Sequence, residues 1–389
     1  MQSTVSFDDI KAGKVTDVYF NRTKEILSQK NIHKTVTAEF VCKSLPKPYD
    51  WAVFAGFNEV VALIKDLPID VEAVLEGSIF HSNEPVLTLT GNYLDFGVYE
   101  TAILGYLCQA SGIATKAARC RKAAGDKPVV SFGARRMHPS IAPVVERNAY
   151  IGGCNGVASV AAAEYLGQEP VGTIPHALIL IMGDTVEATK AFDEIIDEKV
   201  NRISLIDTFT DEKFETLRVA EVLGDNLFGV RLDTPGSRRG DLLQIMEEVR
   251  WELDLRGFEH VKLFVSGGLD EYTIHKYNPV ADAYGVGTSV STAPVIDFSM
   301  DIVDIEGEPI AKRGKPSGRK MLWRCDSCLH HKTTPRAHQA PACPDCYKPM
   351  RLLLQEVKTK ENTTIAIDDH DSVRDYVLGQ LPHVEMDLG

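Results

Sequence analysis

Four cysteines near the C-terminal end of the sequence have the spacing of a metal site. Cys325 and Cys328 form one Cys-x2-Cys pair, and Cys343 and Cys346 form another after fourteen intervening residues. Two such turns can place four thiolates tetrahedrally around one zinc ion, and a complete thiolate shell leaves no position for water or substrate. The spacing predicts a structural zinc site rather than a catalytic one, with iron as the alternative ion.

The remaining cysteines and three neighbouring histidines are given no part in this site. The cysteines are scattered, which disfavours a disulfide framework of the kind found mainly in secreted proteins, and we interpret them as core or surface residues. The histidines are interpreted as exposed loop residues, because four thiolates make further ligands unnecessary. These residues are Cys42, Cys108, Cys120, Cys154, His330, His331 and His338.

A cluster of basic side chains follows a β-like run at Val129 to Phe132. Arg135, Arg136 and His138 lie within seven residues that begin at Phe132. Arginine presents paired donors to a carboxylate or phosphate, so the cluster favours an anion site. A surface salt-bridge pair is the alternative for the two arginines.

Three further segments carry polar or small residues after β-like runs. Asp233, in Arg231-Leu-Asp-Thr-Pro-Gly-Ser, could hold ribose hydroxyls or help to bind a metal ion. Ser266-Gly-Gly-Leu-Asp and Gly285-Val-Gly-Thr-Ser could cradle a phosphate with backbone N–H groups, although glycines also make plain turns. His176, in Gly172-Thr-Ile-Pro-His, is by itself more often structural than catalytic. The segments together predict one pocket for a phosphorylated sugar and an acidic co-substrate.

The elements that position these residues alternate between β-like and helical patterns. The β-like runs are Val129 to Phe132, Ile179 to Met182, Arg202 to Ile206, Leu227 to Leu232, Val261 to Val265 and Ala281 to Val286, and the clearest helix runs from Asp241 to about Arg256. This alternation predicts a parallel sheet. Small or polar residues at several strand ends favour a barrel with its active site at that end, and a doubly wound open sheet is the alternative.

Size and composition limit the classes of protein. The chain has 389 residues, of which 44% are hydrophobic, and a formal net charge of −13. That length suits two or three domains, and the acidic excess argues against general binding to nucleic acid or anionic membranes. Since neither a membrane span nor a secretory signal is apparent, we expect a cytoplasmic protein. Lys312 to Lys320 is interpreted as a solvated linker, and Asp371 to Leu381 as a short closing helix.

The order of the motifs resembles that of the nicotinate phosphoribosyltransferases, relatives of the nicotinamide and quinolinate enzymes. The similar segments are Thr16-Asp-Val-Tyr, Val53-Phe-Ala-Gly-Phe, Glu76-Gly, Glu100-Thr-Ala-Ile-Leu, Phe132-Gly-Ala-Arg-Arg, Gly172-Thr-Ile-Pro-His, Arg231-Leu-Asp-Thr, Ser266-Gly-Gly-Leu-Asp and Gly285-Val-Gly-Thr-Ser. The resemblance implies an irregular TIM-like α/β barrel with an N-terminal α/β sandwich, joined here by a small C-terminal zinc-knuckle module. The expected domains are 1–110 for the sandwich, 111–295 for the barrel, 321–351 for the zinc module and 352–389 for a tail. Parts of 296–320 and 352–389 are expected to complete the sandwich.

The resemblance also implies a reaction and its residues. Phosphoribosyl pyrophosphate, with Mg²⁺, transfers its ribosyl 5-phosphate group to nicotinate, and ATP can phosphorylate the histidine at position 176. Tyr19, from a neighbouring subunit, and Phe132 are expected to enclose the pyridine ring, so the protein is expected to be a homodimer or larger oligomer. The expected catalytic residues are Asp233, Arg231 and His176. The expected substrate-binding residues are Tyr19, Phe132, Arg135, Arg136, His138, Thr234, Ser266, Gly267, Gly268, Gly285, Gly287, Thr288 and Ser289.

Two alternatives remain at this point. A decarboxylating quinolinate phosphoribosyltransferase shares the fold and makes the same nucleotide. A zinc ribbon can instead bind nucleic acid, and Lys332 to Arg336 is modestly basic. Whether ATP hydrolysis is coupled is left open, because alanine follows His176 where many relatives have serine or glutamate.

Overall fold

The computed structural model describes residues 4–238, 240–336, 339–361 and 369–388. The chain forms two compact units, and the first is built from two separate stretches of sequence. The first unit comprises Met1–Ala118 and Pro294–Met386, and the second comprises Arg119–Ala293 with Asp387–Gly389. His338, one of the histidines considered above, lies outside the described residues.

The N-terminal part of the chain contains short helices and strands that end in one long helix. They are α1 (Phe7–Lys11), α2 (Val18–Gln29), β1 (Thr35–Cys42), β2 (Ala52–Val53), α3 (Phe57–Ile64), β3 (Asp70–Ala73), β4 (Ile79–Phe80), β5 (Pro85–Asn92), α4 (Tyr93–Phe96) and α5 (Glu100–Ala124).

The second unit alternates strands with helices. Its elements are β6 (Val129–Ser131), α6 (Ala142–Ile151), β7 (Gly156–Val157), α7 (Val160–Leu166), α8 (His176–Met182), α9 (Thr185–Ile195), β8 (Ile203–Leu205), α10 (Glu212–Leu223), β9 (Gly229–Leu232), α11 (Leu242–Leu255), β10 (Lys262–Ser266), α12 (Glu271–Tyr277), β11 (Ala283–Val286) and α13 (Thr288–Ser291).

The C-terminal part returns to the first unit and consists mainly of strands. They are β12 (Phe298–Ile305), β13 (Glu308–Pro309), β14 (Lys320–Cys325), β15 (His331–Pro335), β16 (Met350–Leu352) and β17 (Gln355–Lys358), followed by α14 (His370–Gln380).

The main sheet of the first unit is antiparallel and combines both stretches of sequence. Its order is β13-β12-β1-β5-β3-β17. Strand β12 pairs with β1, for example Met300 opposite Phe40, and β17 pairs with β3. Buried side chains from β1, α3 and β5, among them Phe40, Leu63 and Leu87, form its core.

The sheet of the second unit is parallel, as the alternating pattern predicted. Its order is β7-β6-β11-β10-β9-β8, and each neighbouring pair is parallel. In the hydrogen-bond pattern of the described residues, β7 and β8 are the two ends, and closure into a barrel stays a prediction. Because the strands are parallel, their carboxyl ends share one edge, where segments after β6, β9, β10 and β11 meet.

One predicted strand of this unit is wrong. Ile179 to Met182 lies in helix α8, which begins at His176 after Pro175 and stops at Gly183, whose φ of +82° ends the helix. Leu180 and Ile181 are 59% and 83% exposed. A short apolar run has no periodicity that separates a strand from a single helical turn, so the sequence favoured the wrong element.

The predicted linker is also more tightly held than expected. Lys312 and Lys315 both form ion pairs with the buried carboxylate of Asp301, and Lys320, the first residue of β14, pairs with the buried Glu39. The closing helix is confirmed as α14. None of the described helices is both long enough and apolar enough to cross a membrane.

Candidate active site

Arg231, Asp233 and Ser266 form a closed hydrogen-bonded triangle at the edge where β9 and β10 end. Arg231 Nε donates to Ser266 Oγ at 2.9 Å, and Ser266 Oγ donates to Asp233 Oδ1 at 2.8 Å. Arg231 Nη2 completes the triangle with a 3.1 Å bond to Asp233 Oδ2. These charge-assisted bonds fix the side chains of Arg231 and Asp233. The remaining donors of the arginine and acceptors of the aspartate therefore have defined directions.

Arg231 has two further contacts that set the plane of its guanidinium group. Its Nη1 donates to Thr173 Oγ1 at 2.6 Å, and its Cζ lies 5.5 Å from the ring centroid of Phe132. The second contact is within the range of a cation–π interaction. The arginine therefore links the Gly172-Thr173 loop, the aromatic ring after β6 and the carboxylate after β9.

The ring of Phe132 packs directly over Gly285 in the neighbouring strand β11. A Cβ atom at position 285 would lie 2.2 Å from Phe132 Cε2. Gly285 lies inside the strand rather than in the loop after it. In the structure, this glycine makes room for the Phe132 ring. Only Gly287, Thr288 and Ser289 of that motif lie beyond the strand end.

The two small-residue loops are neighbours that touch. Gly267 and Gly268 have φ values of +89° and +72°, the left-handed conformation that favours glycine. Ser289 Oγ donates to the backbone oxygen of Leu269 at 2.6 Å, which ties the short helix α13, just after β11, to the loop after β10. These contacts bring backbone groups of both loops to one place, as an anion site requires.

Arg135 and Arg136 end a short 3-10 turn and are both exposed. In the described part of the chain neither guanidinium group has an ion-pair partner, so the structure gives no support to the surface salt-bridge alternative. His138 is also exposed, and its Nδ1 accepts a hydrogen bond from the backbone N–H of Ser140 at 3.2 Å. Two unpaired guanidinium groups in an acidic protein can receive an anion.

A histidine and a buried aspartate lie beside this triangle. His176 is the first residue of α8, is 40% exposed, and has its Nε2 3.3 Å from Oδ1 of Asp207, which follows β8 and is 2% exposed. Apart from that contact, neither Asp207 oxygen has a hydrogen-bond partner among the described residues. Burial raises the pKa of Asp207; the charge of His176 opposes this rise and that of Asp233 adds to it.

Sequence reasoning missed Asp207, Thr173 and Glu212. Glu212 accepts a hydrogen bond from Thr234, so Thr234 holds a buried carboxylate near the strand ends. Asp207 follows β8 as Asp233 follows β9, and the position of an acidic residue just after a strand was the signal that could have found it; Glu212 is the first residue of α10 and carries no such signal. A buried carboxylate such as Asp207, with one side-chain contact, to His176, and with the carboxylate of Asp233 close by, is suited to a divalent cation such as Mg²⁺.

Tyr19 belongs to the first unit and lies on helix α2. Its side chain is 56% exposed, and its hydroxyl group donates to Asp17 Oδ2 at 3.4 Å. An aromatic ring with this exposure is available for a contact outside its own helix.

The four cysteines of the C-terminal motif come together, as their spacing predicted. Cys325 Sγ lies 3.4 Å from Cys346 Sγ, and Cys328 Sγ lies 3.5 Å from Cys343 Sγ and 3.7 Å from Cys346 Sγ. Tetrahedral zinc with Zn–S bonds of about 2.3 Å separates its sulfurs by about 3.8 Å, so the four thiols fit that ion. Trp323 and Met350 pack against the cluster.

Comparison with known proteins identifies the family of the chain. Residues 17–111 match the family described as quinolinate phosphoribosyl transferase, N-terminal domain, and residues 113–301 match the corresponding C-terminal domain. The crystal structure of nicotinate-nucleotide pyrophosphorylase from Pyrococcus furiosus is 51% identical in sequence, with 99% of both chains covered and a TM-score of 0.97. The chain is a type II phosphoribosyltransferase family member.

More distant comparisons agree with this membership. The chain is 30% identical over 299 residues to nicotinate phosphoribosyltransferase pncB1 of Mycobacterium tuberculosis, covering 73% of this chain and 65% of that relative's length. The crystal structure of human nicotinic acid phosphoribosyltransferase has a TM-score of 0.76 at 19% identity, covering 95% of this chain and 94% of the human one, which shows a shared fold. The predicted family and its mixed α/β fold are confirmed.

Proposed function

We propose that this type II phosphoribosyltransferase is a nicotinate phosphoribosyltransferase. It transfers the ribosyl 5-phosphate group of phosphoribosyl pyrophosphate to nicotinate, giving nicotinate mononucleotide and pyrophosphate in NAD biosynthesis. The observation that carries the proposal is the fixed Arg231-Asp233-Ser266 triangle, with the ring of Phe132 near Arg231 and the glycine segments after β10 and β11 beside it. The mycobacterial relative is named as a nicotinate phosphoribosyltransferase, which favours nicotinate as the acceptor.

The proposed reaction needs charge stabilisation rather than a nucleophilic side chain. The lone pair of the pyridine nitrogen forms a bond to ribose C1 while the bond from C1 to the pyrophosphate oxygen breaks, and the electron pair leaves with pyrophosphate. The carboxylate of Asp233 faces the positive charge that develops on ribose, and Arg231 faces the negative charge of the leaving group. Thr234 acts indirectly, because its hydroxyl group holds the buried Glu212 carboxylate. The 5-phosphate is held by the small residues after β10 and β11, which are Gly267, Gly268, Gly287, Thr288 and Ser289. Mg²⁺ supplies charge neutralisation on pyrophosphate, and Asp207 and Asp233 are the carboxylates suited to hold it.

Nicotinate would be held by a ring platform and a guanidinium group. Phe132 supplies one face, and Arg135 pairs with the single carboxylate in a bidentate manner. Arg136 and His138 extend the same basic surface. Tyr19 closes the other face from a second copy of the chain.

The quinolinate reaction is the alternative, and one observation favours it. Two adjacent guanidinium groups, Arg135 and Arg136, match the two carboxylates of quinolinate, whose turnover releases carbon dioxide. An assay of purified protein with phosphoribosyl pyrophosphate, Mg²⁺ and nicotinate, quinolinate or nicotinamide separates the alternatives. We expect nicotinate to be consumed; consumption of quinolinate alone would transfer the assignment, and consumption of none would refute it.

His176 is the residue through which ATP would act. Transfer of the γ-phosphoryl group of ATP to the ring nitrogen that does not face Asp207 would release ADP, and Asp207, 3.3 Å from Nε2, would orient the imidazole and stabilise its positive charge. The same assay with and without ATP, for the parent and for His176→Ala, tests this coupling. ATP stimulation that survives in His176→Ala would exclude that histidine.

We also propose that the protein forms a homodimer with shared active sites. Leu180 and Ile181 on α8 and Ile195 at the end of the adjacent α9 are exposed apolar residues, with Ile195 78% exposed, and such a patch is suited to a subunit contact. Ile181→Glu should therefore shift the mass in sedimentation velocity towards the monomer and lower the transferase activity. A dimeric Ile181→Glu variant would place the contact elsewhere.

The four cysteines are proposed to hold a structural zinc ion. A closed thiolate shell supplies folding free energy and no open coordination position. Catalysis is assigned to the strand-end residues of the second unit instead.

A further inference from the structure

Three side chains of metal-ligand type meet beside the cysteine cluster, within the first unit. His81 and Glu84 lie in the turn between β4 and β5, and His331 is the first residue of β15. Their ligand atoms all lie within 4.8 Å of one another. His331 is buried, with its side chain 3% exposed, so the interpretation of this histidine as an exposed loop residue is wrong.

The distances among these atoms match the edges of a metal coordination shell. Glu84 Oε2 is 2.9 Å from His331 Nδ1, and Glu84 Oε1 is 3.4 Å from His81 Nδ1. Zinc binds imidazole nitrogen and carboxylate oxygen at about 2.0–2.1 Å, so two ligands are about 2.9 Å apart at a right angle and about 3.4 Å apart at the tetrahedral angle. The two imidazole rings are nearly perpendicular, at 88°, and therefore approach the carboxylate from different directions.

Hydrogen bonding accounts for one oxygen of Glu84 only: Oε2 accepts from the backbone N–H of His81 at 2.8 Å and lies 2.9 Å from His331 Nδ1. The 3.4 Å separation between His81 Nδ1 and Glu84 Oε1 exceeds the usual range of N–H···O bonds, which is about 2.7–3.2 Å. Both histidines turn Nδ1 towards the carboxylate, so hydrogen bonds would need a proton on that nitrogen in each ring. A cation between the three groups instead uses both Nδ1 lone pairs and the negative charge.

The charge balance around Glu84 also favours a bound cation. Its side chain is 9% exposed, and a buried carboxylate needs a positive partner. Two other buried carboxylates of this unit have lysine partners, Glu39 with Lys320 and Asp301 with Lys312 and Lys315, whereas Glu76 accepts hydrogen bonds from the backbone N–H groups of Gly56 and Phe57. In the part of the chain that the structure describes, the ion-pair partners of Glu84 are the two histidines.

We propose that His81, Glu84 and His331 bind a second zinc ion, separate from the ion of the four cysteines. Two imidazoles and one carboxylate are a zinc ligand set with a fourth position left open. That position faces a cavity of about 560 Å³, which Asp50, Asp345, His383 and Glu385 also line. The ion joins the turn between β4 and β5 to the start of β15, three residues after Cys328, and so fastens the cysteine module to the body of its unit.

Metal analysis of the full-length chain tests this site. We expect two zinc ions per chain in the parent, one in Glu84→Gln, His81→Ala and His331→Ala, and one in a Cys325→Ser, Cys328→Ser variant. His330→Ala is the matched control, because His330 lines the same cavity but pairs with Asp345. It should keep both ions. A single ion in the parent, even after incubation with zinc and gel filtration, would overturn the proposal.

Cobalt substitution identifies which site is lost without relying on activity. Co²⁺ at the cysteines gives thiolate-to-metal charge transfer, whereas Co²⁺ bound by two histidines and one glutamate gives weaker visible bands without it. Glu84→Gln should lose only the weaker bands, and circular dichroism should show an unchanged fold. Loss of the thiolate bands in that variant, or loss of the weaker bands in His330→Ala, would contradict the three-residue assignment.

Discussion

Replacing Gly285 by alanine should push the Phe132 ring out of its place. The new Cβ atom would lie 2.2 Å from Cε2 and 2.5 Å from Cδ2 of that ring. Carbon atoms in favourable contact are about 3.5–4.0 Å apart, so the ring must retreat by more than about 1 Å. Overpacking of this kind costs about 1–3 kcal/mol in the free energy of unfolding. The displaced ring would also leave the Arg231 guanidinium, now 5.5 Å from its centroid.

A double-mutant cycle measures this effect. Urea unfolding of the parent, Gly285→Ala, Phe132→Ala and the double variant gives the four free energies, and steady-state kinetics with nicotinate gives kcat/KM. We expect Gly285→Ala to be costly in the parent and nearly neutral once the ring is absent, with a coupling of about 1–2 kcal/mol. Gly105→Ala, at a helical position where a Cβ meets nothing within 4 Å, is the control and should not destabilise.

Additivity would refute the reasoning. If the two single effects sum within about 0.5 kcal/mol, the ring and the glycine do not interact. Unchanged stability and kcat/KM in Gly285→Ala would show that the ring has room to move without consequence.

Three further predictions follow from the described contacts. Arg231→Lys replaces a planar guanidinium group, which contacts Thr173, Ser266 and Asp233, by a single ammonium group. We expect kcat/KM to fall roughly 100-fold while the unfolding midpoint is preserved. A fall of less than a few-fold would exclude the guanidinium from the chemistry. Burial raises the pKa of Glu100 to about 7. The folded protein therefore retains a proton on Glu100 that the unfolded chain loses from about pH 4.5, so the free energy of unfolding falls as the pH rises from about 4.5 to about 7. Glu100→Gln should thus raise the Tm relative to the parent at pH 8 but not at pH 4, and an equal gain at both would indicate a different cause. Cys343→Ser should release zinc and lower the Tm while transferase activity at low temperature is retained, and full loss of activity in a folded variant would give the module a direct part in catalysis.

Local patterns in the sequence were sufficient for most of the strands and helices around the site. The segments that end at Ser131, Leu232, Ser266 and Val286 have β-branched or apolar runs followed by small residues, and each is a strand of the parallel sheet. Ile179 to Met182 failed because four apolar residues fit either element. Strand β7 was missed because Gly156–Val157 is too short to carry a pattern.

Side-chain function was harder to predict where it depends on distant residues. His81 and Glu84 are about 250 residues from His331, and each looks ordinary in its own segment. In a sequence, a glycine looks the same whether it belongs to a phosphate-binding loop or, like Gly285, to a strand that must leave room for an aromatic ring. Asp207 has no glycine motif beside it, and only the fold brings it to His176.

The division of the first unit into two stretches of sequence has a consequence for synthesis. The strands β12 and β17, which flank β1, β5 and β3, are separated from them by Arg119–Ala293, which makes up nearly all of the second unit. On the ribosome, this continuous stretch can fold while the early strands still have unpaired edges, which are the regions prone to aggregation. Completion of the N-terminal sheet therefore waits until β17 has emerged, and chaperone dependence should be greatest in that interval.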